Sequence, residues 1–456
     1  MRLSPAEIAA ALGAEVVAEG PPEPPRRAVI DSTATESGDL FFGLRGEHRD
    51  GGEFAGAALE AGAWGAVVGK KVRRTFLPDS DQKVRRTGWV FAVDEPLAAM
   101  QSLARAWRRA LGARVVGVTG SVGKTSVKDI SRVLLPGRVH ANRENLNNEI
   151  GLPLTLLEAP DDADLLVLEM AMRGRGQIAE LAAIAEPEVA LITNVGPVHI
   201  ELLGSVEAIA AAKAEILDDL PPHGTAVAPV EAGELEPHLE RAPRQLRFGP
   251  GGDVEAVEAK VVEGVTEALV ATPLGAQRFH FPFTEAHNLT NALAAIAAGV
   301  ALGADLDGMA DRAASIGFSR FRGERLELPG GIVLVNDCYN ANPVSMRAAL
   351  DHLAGLDAPR AVAVLGEMGE LGPGSEGYHR EVGEHARAAG VDFLIGVGLP
   401  ARAYDPDELV ADPAEAAELL AARMEPDDAV LVKGSRSAGL EAVAEQLPSL
   451  MEGGDG

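Results

Sequence analysis

Short apolar runs at 115–118, 164–168 and 189–193 are separated by stretches with helical spacing of their apolar residues. Runs of strand length with little polar interruption, alternating with helices, predict parallel strands covered on both faces. The pattern recurs toward the C-terminus. Runs at 332–335, 361–365, 393–395 and 429–432 alternate with predicted helices at 343–354, 376–389, 412–423 and 437–447. The N-terminal part is more broken. It predicts a helix at 3–12, a Pro-rich link at 20–25, strands at 28–33, 39–44 and 65–68, and a helix at 55–63. An amphipathic helix between 96 and 111 leads into the first apolar run, and 254–283 alternates in the manner of antiparallel strands. The expected fold class is α/β in three domains. Residues 1–97 form a small α/β domain, 98–322 a central mononucleotide-binding domain with a parallel sheet, and 323–456 a Rossmann-like domain.

Doubly wound sheets place functional residues at the carboxyl ends of their strands. The first central run leads into Thr119-Gly-Ser-Val-Gly-Lys-Thr-Ser126. This is a strand, a glycine-rich turn and a helix start, the build of a phosphate-binding loop. Gly120, Ser121, Gly123 and Ser126 shape it, Lys124 can reach outer phosphates, and the Thr125 hydroxyl can bind Mg²⁺. The loop is a shortened variant, because Val118 stands where the usual pattern has its first glycine. Glu169 follows the second run and 194–199 the third. In the predicted helix 205–220, Lys213 falls on the apolar face beside Val206, Ile209 and Ala210. An ammonium there is costly. Either the lysine extends past its neighbours or pairs with a carboxylate, or burial lowers its pKa and leaves a neutral amine. A neutral amine can take up carbon dioxide as a carbamate, an oxygen ligand suited to Mg²⁺. With Glu169 and His199 nearby in topology, this suggests a second metal site facing the loop.

Composition narrows the field. The net charge of −27 argues against nucleic-acid binding and against adsorption to anionic membranes. The acidic excess lies beyond residue 114, so the basic clusters at 26–27, 70–74 and 85–86 leave a local allowance for an anionic ligand. Lone Cys338 excludes an intrachain disulfide and any cysteine-built metal site. No run reaches the length of a membrane span, and the N-terminus lacks the apolar core of a signal peptide, so a cytoplasmic enzyme is expected. A small-molecule kinase or a nucleotide switch would use the same phosphate loop.

Further segments decide between these classes. The phosphate loop, Asn145-Leu-Asn-Asn-Glu-Ile-Gly-Leu-Pro153, Leu168-Glu-Met170, Thr193-Asn-Val-Gly-Pro-Val-His-Ile-Glu201, Lys213 and His287-Asn-Leu-Thr-Asn291 together resemble the central domain of the Mur ligases. Those are ATP-dependent amide-forming enzymes of peptidoglycan synthesis. Asn336-Asp-Cys-Tyr-Asn-Ala-Asn-Pro-Val-Ser-Met346, Gly366-Glu-Met-Gly-Glu-Leu-Gly372 and Val432-Lys-Gly-Ser-Arg-Ser437 resemble the branch that adds a D-alanyl-D-alanine dipeptide to UDP-MurNAc-tripeptide.

The resemblance implies ATP and two Mg²⁺ ions, a monomeric enzyme, and a role for each matched residue. Lys124 and Thr125 would hold ATP phosphates and one Mg²⁺; Glu169, His199 and a carbamylated Lys213 would hold the second. Lys124, Lys213 and His199 would be the catalytic set. Asn288 would meet the adenine, with Arg325 and Asp337 closing over the nucleotide. Ser32, Thr33, Phe42 and Gly43 match the uridine-binding region, and Asn147 and Asn148 the segment meeting the UDP-sugar. Asn340, Asn342 and Arg436 would hold the dipeptide.

Overall fold

The computed structural model describes residues 1–72, 88–143, 145–198 and 200–452. They build three α/β regions with four sheets. His199 and the basic positions from 73 to 87 lie outside the described residues.

The N-terminal sheet has five strands in the order Glu15–Ala18, Trp89–Val93, Gly65–Gly69, Leu40–Phe42, Ala28–Val29. All neighbours run parallel except the first pair. The Pro-rich link is pinned beside this sheet by indole N–H groups: Trp64 Nε1 donates to the Glu23 carbonyl and Trp89 Nε1 to that of Pro21. The strand expected through residue 33 stops at Val29. The Asp31 carboxylate accepts from the Thr33 N–H and hydroxyl, which turns 32–34 into a 3₁₀ turn. Arg26 and Arg27 both donate to the buried Asp39, so these two cations serve the fold.

The helix Pro96–Leu111 joins this region to the next. Its Met100, Leu103 and Trp107 pack in one continuous core with Ile8, Phe42 and Phe91 on one side and Leu156, Leu168 and Leu181 on the other. The central sheet is six-stranded, in the order Arg244–Phe248, Thr225–Pro229, Val189–Ile192, Arg114–Thr119, Leu165–Glu169, Val139–Ala141, and wholly parallel. Register fixes the site: Val118 pairs with Glu169, and Thr119 with Ile192. The loop after Thr119, the Glu169 carboxylate and the 193–196 turn therefore emerge at one edge. The segment 254–283 forms the expected antiparallel sheet, with strands Glu255–Val262, Val265–Thr272 and Gly275–Phe281. Phe279 and Phe281 pack from that sheet into the core containing Ile296 of the helix Ala286–Ala301.

The C-terminal sheet runs Glu324–Leu328, Ile332–Asn336, Ala429–Lys433, Ala361–Leu365, Phe393–Val397, Glu408–Val410, parallel but for its first strand. The helix Pro343–Ala354 begins where Pro343 predicts, at N1. Among the described residues, no helix is long and apolar enough to cross a membrane.

Candidate active site

Two glycines make the phosphate loop possible. Gly120 has φ +149°, and a Cβ there would lie 1.9 Å from Thr193 Oγ1; Gly123 has φ +79° and would meet Asn291 Oδ1 at 2.5 Å. Only glycine tolerates both the backbone conformation and the approach. The loop is braced from the 193–196 turn. Asn194 Oδ1 accepts the N–H groups of Ser121 and Val122 at 3.1 and 2.9 Å, and Ser121 Oγ exchanges hydrogen bonds with Gly196. Gly123 then heads the helix Lys124–Leu134, whose first N–H groups have no partner within the helix. Such a helix start is suited to an anion.

Lys124 folds back over the loop, its Nζ donating to the Gly120 carbonyl at 2.8 Å. Burial lowers its pKa, Glu169 opposes that shift, and Arg322 adds to it. The Thr125 hydroxyl donates to Glu169 Oε2 at 2.9 Å, and Asn147 Nδ2 donates to Oε1 at 2.7 Å. The Glu169 N–H in turn donates to Asn142 Oδ1 at 2.6 Å, which fixes the strand end. Lys213 closes the helix Val206–Lys213, capped at its start by Ser205, and the chain then tightens into a 3₁₀ turn at Ala214–Leu217. Only 2 % of Lys213 is exposed. Burial first, and then the charge of Lys124, lowers its pKa well below the usual lysine range. Thr125, Glu169, Lys124 and Lys213 thus occupy one neighbourhood. Ser126 lies in the first turn of the same helix, half-buried.

A second cluster lies where the central and C-terminal regions meet. Asn288 is buried and receives from Asn291 Nδ2 at 3.2 Å. The charges of Asp337, Glu285, His352 and Lys433 all act on its neighbour His287. Exposed Arg325 acts electrostatically on His352, which also faces Glu285 at 3.6 Å. Asp337 is held by the fully buried Lys433, whose Nζ donates to Oδ2 at 2.6 Å and to the Asn340 carbonyl at 3.0 Å. Asp337 and Arg325 are thus grouped around His352, and Asn288 reaches back toward the phosphate loop through Asn291, which lies against Gly123. The arginine that reaches the loop is Arg322, whose Nη2 donates to Thr125 Oγ1 at 3.1 Å.

The residues expected to touch substrate also have places and partners within the fold. Phe42 is fully buried in the core that also holds Trp64 and Phe91. Gly43 is required by packing: a Cβ there would lie 2.6 Å from the Gly52 backbone. Asn342 is a helix cap whose Oδ1 accepts from Val344 and Ser345 N–H at 3.1 and 3.0 Å. Asn148 likewise gives its Oδ1 to the N–H groups of Ile150 and Gly151. Asn340 is exposed and accepts from its neighbour Ala341 N–H. Arg436 pairs with Glu441 at 3.1 Å and lies over the Phe321 ring. Ser32 and Thr33 sit on the N-terminal 3₁₀ turn, where Thr33 is exposed. Cys338 is buried, and its thiol pKa is pushed up to about 12, so it is inert. Asn194 falls in the stretch 194–199 expected at the strand ends, whereas Arg322 is the residue that sequence reasoning passed over.

Known proteins share the sequence and fold of this chain. The Mur ligase middle domain model matches residues 118–299, and the Mur ligase glutamate ligase domain model matches 321–436. A UDP-N-acetylmuramoyl-tripeptide–D-alanyl-D-alanine ligase of Synechocystis is 39 % identical over 91 % of this chain and 90 % of its own. The enzyme of that name from Escherichia coli is 35 % identical, over 92 % and 94 %. The solved structure of MurF from Acinetobacter baumannii superposes with a TM-score of 0.88 at 28 % identity, covering 98 % of this chain and 99 % of that one. MurF ligase from Thermotoga maritima in complex with ADP gives 0.83 at 30 % identity, covering 94 % and 98 %. The chain belongs to the Mur ligase family, as one of its UDP-N-acetylmuramoyl-tripeptide–D-alanyl-D-alanine ligases.

Proposed function

We propose that the chain uses ATP to activate the terminal carboxylate of UDP-MurNAc-tripeptide as an acyl phosphate, which the amine of D-alanyl-D-alanine then opens. A carboxylate oxygen attacks the γ-phosphorus, the bond to the bridging oxygen breaks, and ADP leaves with the electron pair. The amine next attacks the acyl carbon, inorganic phosphate leaves, and the amine loses a proton. Lys124 and the N–H groups heading its helix offset charge as two anions approach. Domain contact excludes water, which would hydrolyse the acyl phosphate. The observation that most supports this reading is the 2.9 Å contact between Thr125, in the first turn of the helix that follows one strand, and Glu169, at the carboxyl end of the adjacent parallel strand.

The donor set suits magnesium. Among the described residues no group of three or more His, Cys, Asp or Glu could hold a metal by itself, and Mg²⁺ favours one or two carboxylates completed by substrate phosphates and water. Thr125 and Glu169 offer such oxygens, and two ions bound there would neutralise phosphate charge. Lys213, whose ammonium form is disfavoured by burial and by Lys124, is suited to carry a carbamate as a further oxygen ligand, with His199 completing the set on sequence grounds. Residues 1–97 would hold the UDP-sugar, 98–322 the ATP and 323–456 the dipeptide, in a cytoplasmic monomer. Ser32, Thr33, Asn147, Asn288, Arg325, Asp337, Asn340 and Arg436 remain proposed ligand contacts. ADP release measured with UDP-MurNAc-tripeptide and D-alanyl-D-alanine tests the reading. Turnover should require the dipeptide; equal turnover with a single amino acid would overturn it.

A further inference from the structure

Arg322 is built into the site more elaborately than a surface arginine would be. Phe321 before it has φ +63°, a left-handed conformation that a non-glycine residue adopts only at a cost. The turn is secured from the C-terminal region by the Tyr339 N–H, which donates to the Phe321 carbonyl at 3.3 Å. The Arg322 guanidinium then lies 3.9 Å from the centre of the Tyr339 ring, flat-surface support that orients it. Its Nη2 reaches Thr125 Oγ1, while its Nε is buried with no acceptor among the described residues. A buried guanidinium donor without a partner is costly. Lys124 and Arg322 are close enough to act on each other's charge. Glu169 is the carboxylate beside them, and its two oxygens already accept from Thr125 and Asn147. Two cations and an unfilled donor around the phosphate loop call for an additional anion.

We propose that Arg322 is a catalytic residue that binds the transferring γ-phosphoryl group of ATP, carried to the phosphate loop by the Phe321 turn and its Tyr339 support. This rests on the ligase reading above. As the carboxylate oxygen bonds to the γ-phosphorus and the bridging bond to ADP breaks, the guanidinium donates to the equatorial phosphoryl oxygens. Its contact with Thr125 gives way when the triphosphate enters. Tyr339 belongs to the C-terminal region and Thr125 to the central one, so this arginine is correctly placed only while the two regions touch.

The experiment compares full-length wild type, Arg322→Gln, Arg322→Lys, Tyr339→Leu and Tyr339→Phe. ADP release with both substrates gives kcat, and calorimetric titration with ADP and with the β,γ-methylene analogue of ATP gives the preference for a third phosphate. Arg322→Gln should lose roughly 100-fold or more in kcat, keep its ADP affinity, and lose its preference for the analogue. Arg322→Lys should recover part of both. Tyr339→Leu should shift both in the same direction as Arg322→Gln, and Tyr339→Phe should resemble wild type. An Arg322→Gln enzyme with unchanged kcat or an unchanged analogue preference would overturn the proposal, as would weakened ADP binding and a lowered melting temperature alone, which mark a structural role. Wild type that fails to release ADP with both substrates would instead remove the underlying ligase reading.

Discussion

Lys213 should make the protein less stable than its neutral isostere while being needed for activity. In Lys213→Met the apolar stem is retained and the amine removed from a position only 2 % exposed. Burial and Lys124 lower the amine's pKa in the folded state, with no opposing influence among the described residues. Between that lowered pKa and the ordinary lysine value of 10.5, the unfolded chain binds a proton that the folded chain does not. Folding must release it, so the wild type gains stability relative to the variant as pH rises through this window, at about 1.4 kcal/mol per pH unit. Above 10.5 both states are neutral and the gain is complete. Urea unfolding of metal-free protein at pH 7, 8, 9 and 10, in solutions freed of carbon dioxide, measures the difference. Lys213→Met should be the more stable at pH 7, with the gap closing toward pH 10. Added bicarbonate should stabilise the wild type only, through a carbamate that the folded state alone holds. Ligase activity should be lost in Lys213→Ala and partly regained with short carboxylic acids. A stability gap that does not change with pH, or full activity in Lys213→Ala, would refute this reasoning.

Other perturbations follow from the same geometry. Glu169→Gln keeps the shape but removes the charge that receives from Thr125 and Asn147, so kcat should fall about 100-fold and the Mg²⁺ needed for half-maximal rate should rise; an unchanged metal requirement would count against the ligand role. Buried His379 accepts the Met368 N–H at 3.0 Å through Nε2 and contacts the Ser375 carbonyl at 2.7 Å through Nδ1, and burial lowers its pKa below 6.5. The unfolded state therefore takes up a proton first as pH falls below 6.5, and stability drops by up to about 1.4 kcal/mol per pH unit. His379→Gln should be less stable than wild type at pH 7 and should show less of this acid loss in urea titrations. Asp129 accepts from both the Ser319 N–H and hydroxyl at the junction of the two regions. Asp129→Ala should lower kcat through mispositioning of the following Arg322 while leaving ADP affinity in calorimetry near wild type.

Local chemistry explains what the sequence made readable. Gly120, Gly123, Lys124 and Thr125 act through backbone conformation and helix start, both properties of a few adjacent residues. The strands Arg114–Thr119, Leu165–Glu169 and Val189–Ile192 are readable because burial on both faces makes their side chains largely apolar, whereas the equally buried Thr225–Pro229, small and interrupted by Thr and Pro, escaped. The strands Glu15–Ala18, Val139–Ala141, Arg244–Phe248 and Glu408–Val410 escaped because much of their side-chain surface is exposed, which breaks the run. Asn148 and Asn342 illustrate a chemical ambiguity. The amide that would recognise a substrate is also a good helix cap, and only the hydrogen bonds decide. The choice between Arg322 and Arg325 depends on a left-handed turn at Phe321 stabilised from residue 339, a tertiary effect absent from local pattern. Lys213 was readable from helical spacing alone, whereas its nearness to Lys124 came from the crossing of the chain.

The central claim is that the phosphate of ATP passes through the carboxylate that becomes the new amide. UDP-MurNAc-tripeptide labelled with ¹⁸O in its terminal carboxylate, turned over with ATP and D-alanyl-D-alanine, tests it directly by mass spectrometry of the released inorganic phosphate. The account predicts one labelled oxygen in each phosphate formed. Phosphate without label, alongside formation of the pentapeptide, would contradict it.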